Sequence, residues 1–241
     1  MTKRLFLEES YLAEAEGIIT SVGEFEGRPY IELNQTLFYP QGGGQPGDTG
    51  WIESPVGELR VIDTQKSEAN QILLFLEANH PLPNVGDAIH QKLDWERRYS
   101  LMRMHTCLHL LCSLVPKGVT GGSVGVEKSR LDFDLGDHKL DKEVLTQQIN
   151  QLISTGSEVM SLRISEAELD QQPDLVRTLS VQPPRGSGTV RLIKIEGIDL
   201  QPCGGTHVKN TREIGPVRIS KIENKGKRNR RIHLVFDNTD I

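Results

Sequence analysis

Cysteine is scarce in this chain: Cys107, Cys112 and Cys203 are an odd number at irregular spacing in 241 residues. That is no disulfide framework, and it suits a compartment that keeps thiols reduced, where their chemistry is that of a thiol or a metal ligand. Long apolar runs are missing as well, and none approaches the roughly 20 residues needed to cross a bilayer. From Met1 to Ser10 charged and apolar residues alternate, without the apolar stretch of a secretory leader. A cytoplasmic protein with no membrane role is expected. Net positive charge is also absent. A formal charge of −5 argues against binding nucleic acid through the whole surface, so any RNA contact has to use a local basic patch. No biased tract or internal repeat interrupts the chain, whose 36% hydrophobic and 25% charged residues fit an ordinary globular protein.

What is present falls into two patterns. Up to about residue 90, the short apolar runs Glu16 to Val22, Tyr30 to Leu33, Leu59 to Thr64 and Gln71 to Leu76 are separated by Gly, Pro and Asn, which reads as a small β-barrel or sandwich. The turn-rich stretch Pro81 to Asp87 then gives way to mixed helix and strand, predicting a barrel over 1–90 and an α+β domain over 91–241. In the second part, Arg97 to Val115 carries Leu101, Met104, Leu108, Leu111 and Val115 at the three-and-four spacing of an amphipathic helix, stopped by Pro116. Leu131, Phe133 and Leu135 alternate with Arg130, Asp132 and Asp134 as a half-buried strand. Asp141 to Thr155 reads as a helix with Gly156 as its C-cap, and Val159 to Ile164 as a strand. Ser165 and Glu168 make a capping box for a short helix ending before Pro173. Val217 to Glu223 and Arg231 to Phe236 read as a hairpin.

His105 and His109 stand four apart on the predicted helix and so share a face, a spacing as compatible with packing as with metal ligation. Pro202-Cys203-Gly204-Gly205-Thr206-His207 places a thiol and an imidazole four apart around two glycines that allow a tight turn. Together these four supply a His, His, Cys, His set, a borderline-soft N/S combination that suits zinc; His80, His90, His138 and His233 show no comparable pairing. A zinc peptidase is excluded because Thr106, not glutamate, follows His105. Cys107 and Cys112, on an apolar helix, favour packing over nucleophilic catalysis.

The run His105-Thr106-Cys107-Leu108-His109-Leu110-Leu111 with Cys203-Gly204-Gly205-Thr206-His207 resembles the paired motif of the alanyl-tRNA editing domain. That domain is shared by alanyl-tRNA synthetase and the free-standing AlaX editing proteins. Phe38-Tyr39-Pro40-Gln41-Gly42-Gly43-Gly44-Gln45 resembles the family's glycine-rich motif, and Asp94-Trp95-Glu96-Arg97-Arg98 the approach to its metal helix. The resemblance runs from about Tyr11 to Phe236 with all four motifs in order. It implies an N-terminal β-barrel and a C-terminal α+β editing domain with zinc at His105, His109, Cys203 and His207. It also implies hydrolysis of mischarged alanine tRNA. Cys107 departs from the small residue more usual in the family and puts an extra thiol beside the metal.

Such an activity makes physical sense. A pocket for alanine cannot exclude glycine, and binding alone rejects a serine hydroxyl only about a hundredfold, so a second hydrolytic site removes serine and glycine. With the barrel at its start, the chain is expected to edit in trans without ATP. Four protein ligands leave zinc better suited to positioning substrate than to activating water. Gln45 is a candidate for substrate hydrogen bonding, while Gly42 to Gly44 reads equally as a turn with positive φ. Thr120 and Ser123, in the glycine-rich link after the metal helix, are candidate selectors of the serine hydroxyl or plain loop residues. Lys221, Lys225, Lys227, Arg228, Arg230 and Arg231 are the candidate contact for the tRNA acceptor end, or a solvated loop, with Arg97, Arg98 and Arg103 as a possible extension. Two other readings share the metal: a non-catalytic zinc-stabilised RNA-binding module, and a hydrolase of another aminoacyl ester.

Overall fold

The chain begins with a two-residue strand, β1 (Lys3–Arg4), and one helical turn, α1 (Leu5–Glu8). Next come β2 (Glu14–Phe25), β3 (Arg28–Leu33), β4 (Gln35–Thr36), β5 (Gly50–Ser54), β6 (Gly57–Lys66), β7 (Ile72–Leu76) and β8 (Ala88–Leu93). In the computed structural model, which describes residues 2–136, 138–178, 185–186 and 188–237, six of these strands close a barrel in the order β2-β3-β7-β6-β5-β8. Every pairing around it is antiparallel.

Apolar positions spaced by two fill the barrel: Ile31 and Leu33 on β3, Leu59 and Val61 on β6, Ile72, Leu74 and Leu76 on β7, and Ile89 on β8. On the outside, Arg28 lies over the Phe75 ring, 4.0 Å from its centroid. Strand β8 brings a polar side chain inward. The Gln91 side chain, 0% exposed, accepts from Thr36 Oγ1 at 3.0 Å and donates to the Gln35 carbonyl at 3.1 Å. With the Leu37 amide donating to it and the Glu16 carbonyl accepting from it, each at 3.3 Å, all of its hydrogen-bonding capacity is answered. Because β8 runs through residue 90, the first compact unit extends to Tyr99, beyond the expected boundary, and the second covers Ser100–Ile241.

The glycine-rich segment packs against the barrel wall. Gly43 and Gly44 both have positive φ, 58° and 82°, and Gly42 and Gln45 exchange backbone hydrogen bonds of 3.0 and 2.9 Å across them. That is a two-residue turn with the twist of a hairpin. Downstream, a Cβ on Gly47 would stand 2.1 Å from the Thr64 carbonyl oxygen, so only glycine lets the chain pass there. The pass delivers Asp48 into the unit. Its carboxylate accepts from the Tyr39 amide at 2.6 Å and from Arg98 Nε at 3.0 and 3.1 Å, and also meets Arg98 Nη2. Arg98 in turn donates to the carbonyls of Ser10 and Leu37 at 3.0 and 2.6 Å.

Helix α2 (Trp95–Leu114) follows. From Leu101 to Cys112, every residue but Arg103 is buried, so over this stretch the helix is not the amphipathic one expected but is enclosed on all sides. The second unit holds β9 (Val119–Ser123), β10 (Lys128–Asp134), α3 (Lys142–Thr155), β11 (Val159–Ser165), α4 (Glu166–Asp170), β12 (Thr189–Ile195), β13 (Asp199–Pro202), β14 (Val217–Asn224) and β15 (Asn229–Phe236). Two antiparallel sheets, β14-β15-β10-β9 and β11-β12-β13, make this an α+β unit. Asp141 caps α3 by accepting from the Glu143 and Val144 amides, and Gly156 at φ 71° ends it. Ser165 and Glu168 form the expected capping box. Edge strand β14 is covered by α3: the Asn150 side chain bonds both backbone groups of Val217, at 2.7 and 3.0 Å. Among the described residues no helix is long and apolar enough to cross a membrane.

Arg98 and Asp48 are both fully buried, so removing either partner strands a charge. Arg98→Met is expected to cost about 3 to 5 kcal/mol in urea unfolding, with Asp48→Leu in the same chain recovering most of it. A single-variant loss below about 1 kcal/mol, the scale of an exposed pair, would show that the pair does not hold the unit together.

Candidate metal centre

Two local geometries meet inside the second unit. On α2, His105 and His109 project from one face with ring centroids 5.5 Å apart. The turn leaving β13 brings Cys203 and His207 to them, and the His207 ring centroid lies 4.3 Å from that of His105 and 4.7 Å from that of His109. Cys203 Sγ is 3.5 Å from His105 Nε2 and 3.3 Å from His207 Nε2. One ligand atom from each of the four residues lies within 4.8 Å of the others, so all four can reach a single metal ion. The three imidazoles are nearly sealed from solvent.

Arg191 on β12 holds the turn from behind, donating to the carbonyls of Cys203 and Gly205 at 2.8 and 2.9 Å. The Gly205 amide points back at Cys203 Sγ, 3.4 Å away. His207 Nδ1 meets Thr106 Oγ1 at 3.1 Å, and His109 Nδ1 meets Asp199 Oδ2 at 3.0 Å. Gln201 Nε2 donates to the same Asp199 oxygen at 2.7 Å, and Arg177 Nη2 stands 3.5 Å from Oδ1. Sequence reasoning missed this supporting layer. One signal was available: Asp199 and Gln201 alternate on one face of β13, in step with Cys203 just beyond its end.

Electrostatics divide the thiols. Burial pushes Cys107 and Cys112 up, Cys112 to about 12. Burial also opposes ionisation of Cys203, but the neighbouring His105 and His207 outweigh it and hold that thiol well below its ordinary value. Burial, then the charge of His105, keeps His207 well below the usual imidazole range. For His109 burial is outweighed by hydrogen bonds to Asp199 and Cys203, which raise it to about 9.

Cys107 does not belong to the four-residue group; it is fully buried in the core. Thr120 and Ser123 lie on strand β9 and not in a loop, with Thr120 Oγ1 donating to the Asp132 carbonyl at 3.2 Å. Gln45 is buried within the first unit. Of the basic residues, Lys225, Lys227 and Arg228 form the tip of the β14–β15 hairpin, whereas Lys221 lies on β14 and Arg230 and Arg231 lie on β15. Four of the six meet carboxylates: Lys221 and Lys225 pair with Glu223, Arg228 with Asp134, and Arg231 with Asp132. The expected extension of this patch fails at Arg98, which is fully buried on Asp48. Arg103 is also committed, donating to the Ile214 carbonyl at 2.7 and 2.9 Å and lying over the Phe236 ring. Elsewhere, His90 lies between Glu14 and Glu16, and His233 beside Glu223.

Two family models match the chain: the threonyl and alanyl tRNA synthetase second additional domain over residues 190–233, and the class II (A) tRNA synthetases over residues 11–97. An alanyl-tRNA editing protein AlaX-M of Methanosarcina acetivorans is 36% identical, with 98% of this chain and 99% of the relative aligned. The protein of the same name from Saccharolobus solfataricus is 35% identical over 97% and 98%. The alanine-tRNA ligase of Saccharolobus islandicus is 34% identical over 92% of this chain, which spans 25% of the ligase.

The separation of the thiols has a direct readout. Iodoacetamide at neutral pH, applied to folded, chelator-treated protein, is expected to alkylate Cys203 and spare Cys107 and Cys112. Peptide mass mapping that finds all three labelled alike would contradict it.

Proposed function

This chain belongs to the family of alanyl-tRNA editing proteins, and from that premise we propose that it is a zinc-dependent hydrolase acting in trans on alanine tRNA charged with serine or glycine. Alanyl-tRNA editing is its function. The observation that carries the zinc reading is the cluster of His105, His109, Cys203 and His207. Tetrahedral zinc, at about 2.0 to 2.1 Å from nitrogen and about 2.3 Å from sulfur, requires neighbouring N and S ligands about 3.5 Å apart. The separations of 3.3 and 3.5 Å from Cys203 to His207 and His105 match that requirement. When bound, zinc supplies positive charge for orienting the aminoacyl ester more readily than an activated water, because four protein ligands leave no open position.

Substrate recognition is assigned to Thr120, Ser123 and Gln45. Having donated its proton to the Asp132 carbonyl, the Thr120 hydroxyl has only lone pairs to offer. A serine hydroxyl can donate to such a group and an alanine methyl cannot. Ser123 is exposed on the same strand; the Gln45 amide carries both donors and an acceptor but is buried within the first unit. The acceptor end of the tRNA is assigned to the hairpin formed by Lys221, Lys225, Lys227, Arg228, Arg230 and Arg231. Since four of these already face carboxylates, the salt dependence of binding should be shallower than six free cations would give. We place the reaction in the cytoplasm and assign it no ATP requirement.

Deacylation of alanine tRNA bearing serine, glycine or alanine, with zinc measured on the same sample, tests the proposal. Serine and glycine are expected to be released and alanine spared, and Cys203→Ala should lower the rate by on the order of 100-fold or more, since even supporting residues cost 10–100-fold. Stoichiometric zinc without deacylation would instead make the chain a zinc-stabilised RNA-binding module. Thr120→Ala and Ser123→Ala are each expected to narrow the preference for serine over alanine; unchanged selectivity removes that residue from the assignment. Lys225→Glu with Lys227→Glu should raise KM and flatten its salt dependence while sparing kcat, and an unchanged KM would take the tRNA contact away from the hairpin.

A further inference from the structure

The hydroxyl of Thr106 is completely enclosed and has three neighbours. It lies 2.9 Å from the Met102 carbonyl oxygen, 3.2 Å from the Val208 amide nitrogen and 3.1 Å from His207 Nδ1. A hydroxyl has one proton and two lone pairs. The carbonyl of Met102 can only accept, so the proton goes there. The Val208 N–H can only donate, so it takes one lone pair. What is left for His207 is the second lone pair, and Nδ1 must be the donor. A neutral His207 therefore carries its proton on Nδ1 and turns the lone pair of Nε2 toward Cys203 Sγ, 3.3 Å away.

Asp199 imposes the same choice on His109 by different means: Gln201 Nε2 also stands 3.0 Å from His109 Nδ1, but its proton has the nearer Asp199 Oδ2 at 2.7 Å to go to, and an ionised carboxylate can only accept. The Asp199 side chain is 0% exposed and accepts from His109 Nδ1 at 3.0 Å, which leaves Nε2 as the nitrogen available to an ion. Gln201 and Arg177 fix the carboxylate in turn, the first at 2.7 Å from Oδ2 and the second at 3.5 Å from Oδ1. Two of the three histidines thus have their tautomer and ring orientation set by a buried partner that has no atom in the ligand group itself. The two partners also differ in origin: Thr106 is on the helix that carries His105 and His109, while Asp199 is on the strand that leads to Cys203. Each reaches across to a histidine of the other segment.

We propose that Thr106 and Asp199 are positioning residues of the metal centre, each holding the Nδ1–H of one histidine so that Nε2 is the atom turned toward an ion. The inference rests on the reading that the four residues hold zinc. Imidazoles released from these partners can turn their rings or hold the proton on Nε2, and either change has to be reversed for ligation.

The test is zinc affinity, measured by competition with a chromophoric chelator, together with the visible spectrum of the cobalt(II)-loaded protein. Thr106→Val keeps the volume and removes the hydroxyl, and Thr106→Ser keeps the hydroxyl. Asp199→Asn keeps the shape and removes the charge. Thr106→Val and Asp199→Asn are each expected to weaken zinc binding by about 10–100-fold, the range typical of groups behind a ligand, with Thr106→Ser within about threefold of the original. The cobalt(II) bands should shift in the first two and not in the third. A merely structural Thr106 would lower the unfolding temperature of the metal-free protein with affinity and spectrum unchanged, and that result overturns the proposal. So does a loss of affinity that Thr106→Ser fails to restore. If the unsubstituted protein takes up no zinc, the zinc reading itself falls and this inference with it; zinc uptake that is equal in all variants defeats this inference alone.

Discussion

A helix enclosed on every side has no solvent to satisfy the polar residues it carries, and α2 carries three within one turn and a half: His105, Thr106 and His109. An unpartnered buried imidazole or hydroxyl costs on the order of 1 to 3 kcal/mol, so the rest of the unit has to bring partners to them. The turn after β13 and the strand itself do so, supplying Cys203 and His207 to one side of the histidines and Asp199 to the other. Arg191 makes the turn rigid by closing on two of its carbonyls. The burial of α2 and the assembly of the centre are thus one requirement. A helix with a solvent face could have left these side chains to water and would have needed no loop against it.

The tRNA contact proposed for the same unit has to reconcile net charge with substrate. A protein with a formal charge of −5 repels a polyanion at long range, and binding has to come from a cationic surface comparable in size to the Debye length of about 8 Å at physiological salt. The β14–β15 hairpin concentrates cations in that way, but Asp132, Asp134 and Glu223 interleave with them. Such pairs hold the arginines in fixed orientations. They also lower the field around the hairpin, so the tRNA contact proposed for it would be short and geometrically specific.

Elements whose cause is local could be read from the sequence. Asp141, Gly156 and the Ser165–Glu168 box mark helix ends through bonds spanning a few residues, and Leu131 and Phe133 mark a strand by alternation. The two i,i+4 ligand pairs were visible for the same reason. What escaped has a distant cause. Strands β5 and β8 have a weak apolar signal, and β8 points Gln91 into the barrel, where its partners come from strands far away in the chain. Arg98 reads as a surface cation because its partner Asp48 is separated from it by 50 residues. β9 was taken for a link because Gly121 and Gly122 dominate it, although β10 pairs with both. Spacing brought out His105, His109, Cys203 and His207 as candidate ligands and the family resemblance implied the same four, whereas Thr106 and Asp199 needed the folded arrangement.

Asp48 and Asp199, buried carboxylates of the first and the second unit, are treated differently, and the difference follows their roles. Asp48 faces the Arg98 guanidinium and the Tyr39 amide directly, and Arg98 spends its other donors on backbone carbonyls. A pair so completely answered is locked, and its field is cancelled close by. Asp199 is not so answered: Oδ2 receives two donors, while Oδ1 is buried without a hydrogen bond and Arg177 stands off at 3.5 Å. A buried charge left partly uncompensated is costly in a purely structural setting, and its persistence calls for a use. Its nearest positive partner is the Nδ1–H of His109, and through that ring the negative charge acts on whatever cation the opposite nitrogen holds. The incomplete satisfaction of Asp199 leaves its charge to act on the His109 ring, as the complete satisfaction of Asp48 is what lets it hold a fold.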